Sequence, residues 1–165
     1  MHGGRMSEHD YTAAVSNTII VCTDVVIINR ERQTFYLAKR AAHPMKGIWW
    51  IGGRRHKGET PLEGIRFNFK RETGLDLPES RFTFVTILEY LWQDREQEPR
   101  QVGSHDLVHQ FVVELTDEEL VQVRAGLDAH EYDQNFGLQE FDRARLEAEG
   151  VCPTIIDVFN TIFKR

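Results

Sequence analysis

The hydrophobic and polar positions of the chain fall into short blocks with different periods. Residues 18–29 are rich in Val and Ile and bounded by polar residues, which predicts a buried strand. Thr34 to Ala38 reads as a second strand, and the polar link between the two is hairpin-like. Residues 42–59 carry Gly, Pro and a Trp pair, predicting loop with a short strand at 48–51. The clearest helix spans 60–73: Thr60 caps it, Pro61 suits its first position, and Glu63 completes a Thr-x-x-Glu capping box. Leu62, Ile65 and Phe69 form its apolar stripe, and Gly74 stops it. Strands are expected at 82–91 and 107–115, joined by a polar loop over 93–104. Thr116 and Glu119 repeat the capping box for a helix ending near Gly126. Residues 134–141 read as a last strand or turn.

The final segment places Ile155, Ile156, Val158, Phe159, Ile162 and Phe163 at helical spacing, with Lys164 and Arg165 at its negative end. Its apolar stripe is expected to be a core layer, with a homodimer interface as the minor reading. Strands flanking one strong helix, with another helix at the end, imply an α+β fold: a mixed sheet between helical layers. A length of 165 residues suits a single domain over 1–165, with 1–16 set apart as a flexible or exchanged N-terminal arm. A chain of this size buries roughly 70% of its unfolded surface and needs no staple to fold.

Charge and cysteine content narrow the class. A net charge of −6 gives an overall field that does not attract polyanions, so no nucleic-acid partner is expected. Cys22 and Cys152 have no metal-type spacing and read as free thiols of a reducing compartment. The apolar run from Thr18 to Ile28 is too short to span a bilayer, and Asp24 interrupts it, so no membrane partner is expected. A cytoplasmic location is the default.

The informative stretch is Gly52-Gly53-Arg54-Arg55-His56-Lys57-Gly58-Glu59, running into the capped helix that ends Arg71-Glu72-Thr73-Gly74-Leu75. Two glycines permit close backbone approach. A carboxylate with a bare carbonyl suits a hard divalent cation, and clustered arginines suit phosphate oxygens. Together they point to a metal–diphosphate site, against a plain reading as a glycine turn before an ordinary helix. Trp49, Trp50, Tyr90 and Trp92 offer faces for a nucleobase, with at least two of the four expected in the core.

Gly53-x5-Glu59-x7, followed by a helix ending Glu72-x-Gly74-Leu75, resembles the Nudix box, G-x5-E-x7-R-E-U-x-E-E-x-G-U with U apolar. Gly53, Glu59, Phe69, Glu72, Gly74 and Leu75 match. Phe67-Asn68 stand where the box has Arg-Glu, and Arg71-Glu72 where it has Glu-Glu. The resemblance implies a Nudix-like α/β/α sandwich over 18–163. The loss of two carboxylates leaves room for at most one well-held cation.

Within that superfamily the chain is similar to the GDP-mannose mannosyl hydrolases, through Leu37-Ala38-Lys39-Arg40, Gly52-Gly53-Arg54-x3-Gly58-Glu59-Thr60, the single last box glutamate and Asp24 on the first core strand. That likeness implies one Mg²⁺, replaceable by Mn²⁺, held by the Gly53 carbonyl and Glu72. It puts Arg40 and Arg54 on phosphate, Asp24 on substrate and Glu59 in support of the loop. His130 would be the base that activates water against the anomeric carbon, with Glu131 as the carboxylate alternative. The implied substrate is a nucleotide sugar, GDP-mannose-like, split into sugar and nucleoside diphosphate. Two alternatives stay open: a Nudix pyrophosphohydrolase attacking phosphorus, and a catalytically impaired nucleotide-binding module.

Overall fold

The computed structural model describes residues 6–163. Residues 1–5 of the expected arm, and Lys164 and Arg165, lie outside the described residues. Strands β1 (Ile20–Asn29), β2 (Thr34–Arg40), β3 (Gly47–Trp49), β4 (Ile51–Arg54), β5 (Thr83–Trp92), β6 (Ser104–Glu114) and β7 (Leu138–Phe141) form one mixed sheet. Helices are α1 (Glu8–Asn17), α2 (Pro61–Thr73), α3 (Asp117–Gly126), α4 (Arg143–Ala148) and α5 (Pro153–Phe163).

The near-continuous apolar run of β1 is explained by burial on both faces. Val25 and Ile27 pack with Ile65 and Phe69 of α2 and with Leu120 and Val123 of α3. The alternate residues Val26 and Ile28 pack with Phe35 and Leu37 of β2, Leu146 of α4, and Ile155, Val158 and Phe159 of α5. The sheet is thus sandwiched between α2/α3 and α4/α5, the mixed-sheet architecture expected from the pattern. Burying side chains such as Ile65 and Phe69, both fully inaccessible, contributes roughly 1.5–3 kcal/mol each.

β1 lies at the centre. Its β6 edge is parallel, pairing Ile20 with Asp106 through Ile28 with Glu114. Its other edge is shared: Ile27–Asn29 pair with β2, while Cys22–Val25 pair with β4. The single short strand expected at 48–51 is therefore two strands. The chain pairs with β2 through β3, passes Trp50, and then pairs with β1 through β4. Trp50, 1% exposed, is the pivot, and its indole N–H donates to Asp24 Oδ2 at 2.9 Å. This wedge opens the sheet where β1 and β2 diverge, and the candidate site lies there.

α2 forms as expected. Thr60 accepts from the Glu63 N–H at 3.2 Å, and Glu63 accepts from the Thr60 N–H at 2.7 Å. Gly74 closes the helix in the left-handed region at φ 73°, a conformation that glycine adopts without a Cβ penalty. Helices α1 and α4 have no strong apolar stripe. Their signals are the capping side chains Ser7 and Asp142, which accept from the N–H of Asp10 and Arg145. Among the described residues no helix is long and apolar enough to cross a membrane.

Candidate active site

One cavity of about 570 Å³ is walled by β1, β4, the end of α2, the turn before Tyr132, helix α1 and the loop after β5. That size suits a small organic ligand. Asp24, Arg40, Gly53, Arg54 and Glu72 all line it. His130 does not: it is exposed, and its backbone N–H donates to Asp128 Oδ1 at 2.8 Å. Glu131 does line the cavity, with Oε2 3.0 Å from Arg40 Nη2. Glu59 lies at the loop before α2, where it accepts from the His56 N–H at 2.8 Å.

Close approach explains the glycine pair. Asp24 and Gly52 are cross-strand partners, and a Cβ on Gly52 would sit 2.1 Å from Asp24 Oδ1 and 2.6 Å from Asp24 Cα. Any side chain at 52 would displace the Asp24 carboxyl. Desolvation pushes the Asp24 pKa up to about 7, against the lowering pull of the Trp50 hydrogen bond and Arg40. At neutral pH this carboxyl is partly protonated and can both donate and accept hydrogen bonds.

Glu72 is 1% exposed and fully engaged. Oε2 accepts from the Tyr132 hydroxyl and from the Gly52 N–H at 3.2 Å. Oε1 accepts from Arg71 Nη2 at 2.5 Å. Burial raises the Glu72 pKa, opposed first by Arg71. The Gly53 carbonyl accepts from Asn68 Nδ2 at 2.8 Å, and the same amide reaches Thr23 Oγ1 at 3.1 Å. Asn68 is buried.

Arg40 Nε, Arg54 Nη1 and Arg95 Nη1 are buried N–H groups without a hydrogen-bond partner among the described residues. The guanidinium carbon of Arg54 lies 3.9 Å from the centroid of the Tyr11 ring. Arg95, 1% exposed, donates to Ser16 Oγ at 2.9 Å and to the Gln97 carbonyl at 3.0 Å. Tyr11, Arg95 and Tyr132 escape sequence reasoning because each sits in a polar stretch without periodicity. Only proximity to other motif residues could have flagged Tyr132.

A family model described as the NUDIX domain matches residues 19–151, and the chain belongs to that family. No curated protein matches it at significance. Among solved structures it is similar to the MutT protein of Methanosarcina mazei Go1, at 15% identity and TM-score 0.60, covering 89% of this chain and 94% of that one. It is also similar to a MutT NUDIX hydrolase of Burkholderia pseudomallei, at 15% identity and TM-score 0.57, covering 81% and 98%. A third similar structure is the dihydroneopterin triphosphate pyrophosphohydrolase of E. coli, at 13% identity and TM-score 0.56, covering 87% and 94%. At these identities the likeness establishes the fold.

Nudix enzymes generally use divalent metal ions. The donor set here does not fit one. Among the described residues no three His, Cys, Asp or Glu side chains gather as metal ligands. Both expected ligands, the Gly53 carbonyl and the Glu72 carboxylate, accept hydrogen bonds from N–H and O–H donors of the same chain, and the Arg71 guanidinium lies against the carboxylate. Two unit charges 4 Å apart interact by about 4 kcal/mol at an effective dielectric of about 20. By the same rule a divalent ion beside Arg71 would meet roughly twice that in repulsion.

Proposed function

We propose that the cavity takes a nucleoside diphosphate linked to a sugar, GDP-mannose-like, and that the protein hydrolyses it to sugar and nucleoside diphosphate. The observation that supports this is the convergence of four guanidinium groups, Arg40, Arg54, Arg71 and Arg95, on one cavity. A diphosphate is the anion such a set suits, because Arg40 Nε, Arg54 Nη1 and Arg95 Nη1 are donors without a partner among the described residues and guanidinium N–H groups bind phosphate oxygens well. Trp92 and Tyr90, stacked at 4.9 Å between ring centroids and only partly buried, give the same cavity a flat apolar wall for a base. Asp24, with a pKa near neutrality, can donate to or accept from a sugar hydroxyl.

In this reading the arginines neutralise the diphosphate as it becomes the leaving group. Water adds to the anomeric carbon while the bond from that carbon to the diphosphate oxygen breaks, and the electron pair leaves with the nucleoside diphosphate. A carboxylate on the turn before Tyr132 takes the water proton. Glu131 is our choice over His130, because it lines the cavity and His130 is exposed. No step runs through a metal.

Hydrolysis of GDP-mannose in ¹⁸O-water tests the reading. Label in the sugar is expected; label in phosphate alone would replace it with pyrophosphohydrolysis. Turnover of no nucleotide sugar, with nucleotide still raising the melting temperature, would favour a binding module. Glu131→Gln should cut kcat about 100-fold, while His130→Gln changes it little.

A further inference from the structure

We infer that the Arg71 guanidinium is a resident cation: it stands where the box resemblance puts a metal ion, and this chain binds its diphosphate without a divalent ion. The first half rests on geometry alone; the second rests on the nucleotide reading above.

Two positions depart from the box, and their effects converge. At 68 an amide replaces a carboxylate, and at 71 a guanidinium replaces another. Each change brings in N–H donors where the box has only acceptors, and one of those donors lands on each of the remaining acceptors. Asn68 Nδ2 takes the Gly53 carbonyl at 2.8 Å, and Arg71 Nη2 takes Glu72 Oε1 at 2.5 Å. A methyl carbon on Gly53 would lie 2.9 Å from that same Nη2 and 3.6 Å from that Oε1. The guanidinium tip therefore fills the space between the glycine and the glutamate. Tyr132 and the Gly52 N–H fill Glu72 Oε2, so the acceptor capacity that remains is on Oε1, where Arg71 sits.

Arg71 is not exhausted by this contact. Its side chain is 45% exposed and lines the cavity. A guanidinium has five N–H groups, so donors remain for phosphate oxygens. Unlike a bound ion, this charge is covalently tethered and does not dissociate. Glu72 acts here as the anchor that aims the guanidinium.

The test uses the full chain and two probes, Mn²⁺ and GDP. Mn²⁺ titration followed by electron paramagnetic resonance is expected to show no saturable site on the wild type below about 1 mM. The double variant Asn68→Glu/Arg71→Glu should gain at least about tenfold in Mn²⁺ affinity. Should that variant lose its melting transition, Arg71→Ala, at a half-exposed position, takes its place with a gain in the same direction. Calorimetry should give the same GDP affinity in EDTA and in Mg²⁺, with at least about a tenfold loss in Arg71→Ala and a smaller one in Arg71→Lys. A wild-type Mn²⁺ site that disappears in Glu72→Gln overturns the inference, as does a folded variant that gains no Mn²⁺ affinity. GDP binding that requires Mg²⁺ overturns its second half and leaves the hydrolase reading intact. If GDP binds in neither buffer, the nucleotide reading fails and the Mn²⁺ titration alone decides the role of Arg71.

Discussion

Burial gives Asp24 a proton affinity that an exposed aspartate lacks, and this couples the fold to pH. Its ordinary pKa of 3.8 rises to about 7 in the folded chain. Between those values the unfolded chain has lost its proton and the folded chain keeps it. The stabilisation is therefore fully present below the lower value and disappears as pH rises through the upper one. Desolvation pushes Glu72 in the same direction. Asp24→Asn keeps an acceptor for the Trp50 indole and abolishes the titration. Its melting temperature should fall less than that of the wild type between pH 5 and pH 8, as followed by scanning fluorimetry; parallel curves would contradict this. Asp24, Arg40, Gly53, Arg54 and Glu72 line one cavity, and it is the family resemblance, with the box spacing for Gly53 and Glu72, that groups them in the sequence. The orientation of Asn68 and Arg71 was not legible there, since a helix surface and a site wall look identical in a one-dimensional pattern.

Helix α2 carries Asn68, Arg71 and Glu72, so its first turn underwrites the geometry of its last. The reciprocal bonds of Thr60 and Glu63 satisfy two backbone donors at the start of the helix. Thr60→Ala removes one of them and should cost about 1 kcal/mol, or roughly 2–4 °C in melting temperature, with GDP affinity nearly unchanged. A larger loss of affinity than of stability would mean that the cap tunes the site directly. Elements with strong local signals were read correctly: α2 and α3 through their capping boxes, β1 through its apolar run, α5 through its stripe. The β3–β4 switch was missed because it depends on which neighbour each half of the segment pairs with. α1 was missed because its burial rests on little more than Val15, too sparse a stripe to show a period.

At the scale of the whole molecule, the first helix and the loop after β5 meet across the cavity rim through one side chain. Arg95 Nη2 ties to Ser16 Oγ, and its Nε ties to the loop carbonyl of Gln97. Arg95→Met keeps bulk and removes these bonds together with a longer one from Nη2 to the Glu98 carbonyl at 3.5 Å. KM for a nucleotide sugar should rise about tenfold with kcat changed less, and limited proteolysis within 93–103 should accelerate. Equal loss in kcat would instead place Arg95 on the reacting atoms. A link between residues 79 positions apart has no trace in local sequence. The aromatic corner at the other side of the wedge has a practical result. All three tryptophans of the chain cluster there, Trp49 at 4.7 Å from Trp50 and 6.0 Å from Trp92 between ring centroids. The tryptophan emission of the protein thus originates from a single spot beside the cavity, so whether an added nucleotide enters it can be tested by quenching in an unlabelled cuvette sample, without any engineered dye.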